Sequence, residues 1–253
     1  MLIDTHCHLD FPEFDPDRDE VVRRSLESGV GCIINIGSSL EGSRRCVELA
    51  SKYDCLYASV GIHPHEADRF EKKHALALRE LVKQDKVAAI GETGLDYYKN
   101  YSQANNQRQL FITLVELSRD SGLPLVIHTR QAQNDTLEIL KKYLPLRAVV
   151  HCFSGDGDFL KQCLDLGFFI SYTCNITYKK AEGLRGLVKV TPLERMFLET
   201  DAPFLPPEGL RGMRNEPRHV RELAAMIAQL KDTPPQEIAD VTTANARAFF
   251  NLK

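Results

Sequence analysis

Eight short apolar runs recur along the chain at roughly thirty-residue spacing, each followed by a segment of helical period, and this rhythm restricts the possible folds most. The runs are Leu2-Ile3, Cys32–Ile36, Leu56–Val60, Val87–Ile90, Leu125–Ile127, Ala148–Val150, Phe168–Ser171 and Met196–Leu198. They are nearly continuous in apolar character, as parallel strands covered on both faces are. Helices are expected over Asp17–Ser28, Leu40–Tyr53, Lys72–Gln84, Asn105–Ser121, Asp135–Tyr143, Asp156–Leu166, Ala181–Val190, His219–Leu230 and Pro235–Phe250. The fourth carries Leu110, Leu114 and Leu117 at helical spacing and stops at Gly122 and Pro124. Eight such units in 253 residues predict a single (β/α)8 TIM barrel. A doubly wound open sheet competes, but it would carry a Gly-rich phosphate loop after an early strand, and none is present.

Connectors are short, and no linker or low-complexity run divides the chain, so one domain over residues 1–253 is expected. The longest irregular segment, Asp201–Pro217, is of a length usually kept for function or mobility. A formal charge of −3 excludes a broad basic surface, so a nucleic acid would have to be gripped by a local patch. No apolar stretch approaches a membrane span, and Met1-Leu2-Ile3-Asp4 lacks the layout of a signal peptide. The seven cysteines form no Cys-x-x-Cys pair, and Cys32, Cys46 and Cys163 sit among aliphatic residues. A reduced cytoplasm is the expected location, with no membrane and no obligate protein partner.

The chemistry collects where barrel strands deliver residues to the catalytic face. His6 and His8 follow the first run, Glu92 the fourth, His128 the fifth and His151 the sixth, and Asp201 lies shortly after the eighth. Strand alternation points His6 and His8 one way and Cys7 the other. Singly, each has an ordinary structural explanation: a hydrogen-bonded strand-end histidine, a helix cap at Glu92, a turn at Asp201 before Pro203. Jointly, four imidazoles and two carboxylates at successive strand ends match two divalent ions, with one carboxylate able to bridge them. Histidine-rich ligation favours Zn, Mn or Ni, whereas nucleases often use Mg.

His6-Cys7-His8-Leu9-Asp10, Gly91-Glu92-Thr93-Gly94-Leu95-Asp96, His128-Thr129-Arg130, His151-Cys152-Phe153-Ser154-Gly155 and Glu199-Thr200-Asp201-Ala202-Pro203 together resemble the motifs of TatD-type metal-dependent deoxyribonucleases. Gly61-Ile62-His63-Pro64 and Arg211…Asn215-Glu216-Pro217 extend the resemblance over essentially the whole chain. It implies an amidohydrolase-like barrel acting on DNA, as a 3′→5′ exonuclease on single strands in some members. It further implies that His6, His8 and Asp201 hold one metal, that His128 and His151 hold the other, and that Glu92 bridges them. Many amidohydrolases bridge with a carbamylated lysine; here Glu92 supplies the carboxylate directly, and no lysine follows that run until Lys99. Cys174 departs from the family, replacing a glycine beside the expected site mouth, which bears on substrate fit.

Around the ligands, Asp201 is the candidate general base. His63 is expected in the same cavity, free to bind phosphate or move a proton, while His65 reads as structural. Arg130 either holds an anionic group or pairs with Asp135 or Glu138. Arg211 and Arg214 offer charge to phosphates, or are solvated loop residues. Tyr97 and Tyr98 read as packing rather than base-stacking residues, Asp96 as a residue that orients a ligand, and His74 and His219 as helix residues without a role. Two other functions fit the same ligands: hydrolysis of an ester or amide, as in a D-aminoacyl-tRNA deacylase, and an inactive metal-stabilised scaffold.

Overall fold

The computed structural model describes residues 1–99 and 101–253. Eight parallel strands run in sequence order around one sheet: β1 (Leu2–Cys7), β2 (Val30–Ile36), β3 (Leu56–Val60), β4 (Val87–Asp96), β5 (Leu125–Arg130), β6 (Ala148–Val150), β7 (Phe169–Tyr172) and β8 (Met196–Leu198). The β8–β1 seam nearly closes the barrel through one parallel bridge, Cys7 to Ala202, and a bond from the Thr5 hydroxyl to the Leu198 carbonyl at 3.1 Å. Helices α1 (Arg18–Glu27), α2 (Leu40–Lys52), α3 (Lys72–Leu81), α4 (Ala104–Ser121), α5 (Gln133–Lys141), α6 (Gly157–Asp165), α7 (Glu182–Val190), α8 (Val220–Lys231) and α9 (Pro235–Phe250) alternate with the strands and close the chain. The strands β1, β4 and β5 are longer than their apolar runs, because they continue into His6, Glu92 and His128 themselves.

Alternation divides the core in two. Cys32, Ile34 and Ile36 of β2 join Ile3, Val126, Val149 and Phe197 in one cluster, while Ile33, between them, packs in the larger cluster with helix residues. Phe249 and Phe250 of α9 belong to the smaller cluster, so this last helix covers that end of the core. Ile3 and Cys7 fall in different clusters although four residues apart, where strict alternation would put them on one face. An irregular β1–β2 register between Asp4 and Cys7 makes the switch, and it turns His6 and His8 together toward the site. No helix among the described residues is long and apolar enough to cross a membrane.

The Asp201–Pro217 segment is tied to the body by side chains. Asn215 Nδ2 donates to the carbonyls of Thr200 and Phe204 at 3.0 and 2.7 Å. Arg214 grips both oxygens of Asp17 at 2.8 Å and lies over the Phe14 ring. The bond from Arg214, joined by Arg24, holds the Asp17 carboxyl down at about 2. A carboxylate depressed by folding stabilises above its unfolded value of 3.8 and loses that contribution as pH falls through about 2. Arg214→Ala is therefore expected to cost about 1–3 kcal/mol at neutral pH. In thermal melts the gap to the parent should narrow between pH 4 and 2; a constant gap would show that the ion pair is not its source.

Candidate active site

Six of the eight histidines meet at the C-terminal end of the strands, around a cavity of about 950 Å³. His6 lies within β1 and His8 just beyond it, with Nε2 atoms 3.2 Å apart. The Glu92 Oε2 atom is 3.6 and 3.8 Å from those nitrogens, and Asp201 Oδ1 is 3.6 and 3.5 Å away. A regular tetrahedron with such edges has its centre about 2.2 Å from each corner, close to Zn–N and Zn–O bond lengths. His8 is fixed by its other nitrogen, Nδ1, which donates to the Ile36 carbonyl at 2.9 Å.

The other Glu92 oxygen faces a different group. Its Oε1 atom is 2.7 Å from His151 Nε2, 2.9 Å from His128 Nδ1 and 3.6 Å from His63 Nε2. Burial by itself would raise the Glu92 carboxyl, but His151, His63 and His128 outweigh it and hold it well below the ordinary carboxylate range. Burial likewise opposes charge on His8, yet the bond and charge of Asp201 push that imidazole up to about 9. The residues fit divalent cations: buried imidazoles face the buried Glu92 and the partly open Asp201, and His6 Nδ1 and His151 Nδ1 have no hydrogen-bond partner.

Second partners set the ring orientations. Asp96 Oδ2 lies 3.2 Å from His128 Nε2 and 3.0 Å from His65 Nε2, while its Oδ1 accepts from the amides of Tyr98 and Lys99. Glu199 reaches within 3.4 Å of His151 Nδ1 and accepts from the Cys152 amide at 2.6 Å. Sequence reasoning gave Glu199 no role; its spacing of two from Asp201 was the available signal. Asp4 was also passed over. It accepts from the Thr200 amide and hydroxyl, at 2.9 and 2.6 Å, and so secures the turn that presents Asp201.

Two glycines let β4 bend past β5. Gly91 and Gly94 have φ of +134° and +143°, and a Cβ on Gly94 would stand 1.9 Å from the His128 carbonyl oxygen. Gly94→Ala is expected to displace β5 at His128 and to lower the melting temperature along with metal affinity. A variant with parent-like melting and metal titration would show that the strands have room to part.

The remaining candidates separate. His63 lines the cavity, and its Nδ1 accepts from the His65 amide at 3.1 Å, so the neutral ring carries its proton on Nε2, toward Glu92. Burial pushes the His63 imidazolium well below its usual range. His65, expected to be structural only, also lines the cavity. Arg130 reaches the cavity and lies 3.9 Å over the Tyr98 ring; Asp135 and Glu138 pair with Arg108 instead. Arg211 and Arg214 do not line the cavity. Arg211 lies over Tyr178, 3.8 Å from Glu208, and Arg214 is engaged with Asp17 and Glu216. Tyr97 bonds Asp135 as a packing residue would. Cys174 is fully buried, 3.4 Å from the His219 carbonyl, and Asn175 takes the place at the mouth; the expected effect on substrate fit is corrected accordingly.

Buried imidazoles and carboxylates gathered at the catalytic end of a parallel barrel define a metal-dependent hydrolase. The family model described as TatD related DNase matches residues 3–251. The chain is 36% identical to the uncharacterized metal-dependent hydrolase YabD of Bacillus subtilis, covering 100% of both chains. It is 35% identical to the 3′-5′ ssDNA/RNA exonuclease TatD of Erwinia tasmaniensis, covering 99% of this chain and 100% of that one. Among solved structures, the TatD homologue YJJV of Escherichia coli superposes with a TM-score of 0.95 at 33% identity, covering 100% and 98% of the two chains. The protein belongs to the TatD-related DNase family.

Proposed function

We propose that the protein removes nucleotides from the free 3′ end of single-stranded nucleic acid, using a water activated by two divalent cations. The observation that carries this reading is the division of Glu92, whose Oε2 faces His6 and His8, the imidazoles that Asp201 also approaches, while its Oε1 faces His128 and His151. On this reading His6, His8 and Asp201 would hold one cation and His128 and His151 the other, with Glu92 serving both sets. Bound there, the cations would lower the pKa of a water and draw charge from the phosphoryl oxygens. Asp201, partly open to the cavity, takes the proton of the attacking water. His63 presents an N–H to the same space and can donate to a phosphoryl oxygen. Arg130 supplies a guanidinium to a phosphate.

Action at an end suits the place of the site. His8, Glu92, His128, His151 and Asp201 line one cavity at the strand ends, which a terminal nucleotide can enter alone more readily than a duplex can. The name of the Erwinia relative, an exonuclease on single-stranded DNA and RNA, supports the substrate class. The test is a panel of linear, 3′-blocked and circular single-stranded DNA, linear RNA and aminoacyl-tRNA, each with Mg, Mn, Zn and Ni. Stepwise shortening of the free-ended strands alone, stopped by a chelator, is the expected result. Circular DNA cut as fast as linear would overturn the exonuclease reading. Release of amino acid with no cleavage of any strand would replace phosphodiester hydrolysis with ester hydrolysis.

A further inference from the structure

Among the described residues, Tyr98, Tyr101 and Phe204 are the aromatic side chains that stand exposed, at 50%, 63% and 48%; Phe204 lines the catalytic cavity, and Tyr98 and Tyr101 pack against its lining residues Arg130 and His65. The other phenylalanines and tyrosines described are at least partly covered. Packing does not account for aromatic rings left in water in one place only. Strand order divides them. Phe204 follows β8 and meets Phe11, which follows β1, edge-on at 6.0 Å. Tyr98 and Tyr101 follow β4, and Arg130 ends β5. In a ring of eight strands the β8–β1 seam is opposite β4–β5, so the two ledges face each other across the cluster of His6, Glu92 and His128.

Their charge differs as well. Lys99 and Arg130 are the lysine and arginine that line the cavity among the described residues, and both belong to the β4–β5 ledge. Arg130 lies 3.9 Å over the Tyr98 ring, and Lys99 is 5.8 and 5.9 Å from the rings of Tyr98 and Tyr101. On the opposite side, Arg18 is occupied by the Leu9 and Phe11 carbonyls and by Asp15. Aromatic rings interleaved with cations are the usual platform for single-stranded nucleic acid, with bases stacked on the rings and phosphates beside the charges.

We infer that the two ledges hold the bases on either side of the scissile phosphodiester. Phe11 and Phe204 take the base of the 3′-terminal nucleotide; Tyr98, Arg130 and Tyr101 take the penultimate base and the strand behind it. This deepens the nuclease reading and rests on it. Charge sets the polarity: the terminal nucleotide has no further phosphate and needs no cation, whereas the strand behind it carries one phosphate per residue. Asp96 ties the second ledge to the metal-ligating cluster, since it bonds the amides of Tyr98 and Lys99 and lies beside His128.

The test removes one base at a time. Single-stranded oligonucleotides with an abasic residue at the terminal position, the penultimate position or both are compared with the complete strand, for the parent, Phe204→Ala and Tyr98→Ala. Stacking on one ring corresponds to about 5- to 150-fold in kcat/KM for the parent at either position. Phe204→Ala should erase the penalty for a missing terminal base and keep the penultimate one, and Tyr98→Ala should do the reverse. A strand abasic at both positions offers neither ledge a base, so Phe204→Ala should cleave it no more slowly, relative to the parent, than it cleaves the strand lacking only the terminal base. Equal abasic penalties in all three proteins would overturn the ledges while leaving phosphodiester hydrolysis standing, and exchanged penalties would overturn their polarity. A parent that cleaves neither the complete nor the abasic oligonucleotides would remove the nuclease reading and the ledges with it.

Discussion

Glu92→Gln is expected to lower kcat by well over about 100-fold, the upper end of what losing a residue that merely orients a ligand costs. The substitution preserves shape and removes charge where charge is shared. Oε1 is 2.7 Å from His151 and 2.9 Å from His128, and Oε2 is 3.6 Å from His6. An amide offers one oxygen and one NH2 in place of two acceptors, so one set of imidazoles would face a donor. The matched control is His65→Ala. That residue bonds Asp96 at 3.0 Å and makes no polar contact with Glu92 or His128 itself, so a loss nearer about 10-fold is expected. Both variants need their melting temperatures measured, since emptying a metal site can destabilise a fold. Similar losses in two well-folded proteins would remove Glu92 from its central place.

The barrel was legible because its physics is repetitive. Eight apolar runs require cover on both faces, and in-order parallel pairing follows from the helices between them. The gathering of the histidines at one cavity was legible because strand ends point to one face, so His128 and His151 could be placed by counting from Ile127 and Val150. What stayed hidden lies in local departures from the strand period and in partnerships across the fold. The switch of face between Ile3 and His6 comes from an irregular register that no composition marks. Asp201 presents its carboxylate from a left-handed backbone, φ +57°, that Asp4 and Thr200 brace across the β8–β1 seam, 196 residues apart in sequence. The arginines show the same limit. Arg130 and Arg214 are equally cationic in the sequence, and only the carboxylates around Arg214 take it away from the cavity.

Adding divalent metal to chelated protein should saturate at two ions per chain and raise the melting temperature in two steps. Six ligand residues exceed the needs of one tetrahedral site, and Glu92 presents an oxygen to each half. A ligand that binds only the folded state stabilises it by about 2.7 kcal/mol when present at 100 times its dissociation constant. For a chain of this size each kcal/mol raises the midpoint by about 2–4 °C, so each ion contributes about 5–10 °C. The unequal environments separate the steps: His8 is surrounded by Asp201 and Glu92, whereas His128 shares Glu92 with Asp96. The Glu92→Gln protein should lose part of both increments, because its side chain serves both halves. Asp201→Asn should weaken chiefly the increment that depends on His6 and His8. Elemental analysis alongside the melts checks the count. Saturation at one ion per chain, with one melting step and the weaker ion shown not to have been lost in handling, would mean that Glu92 serves a single metal.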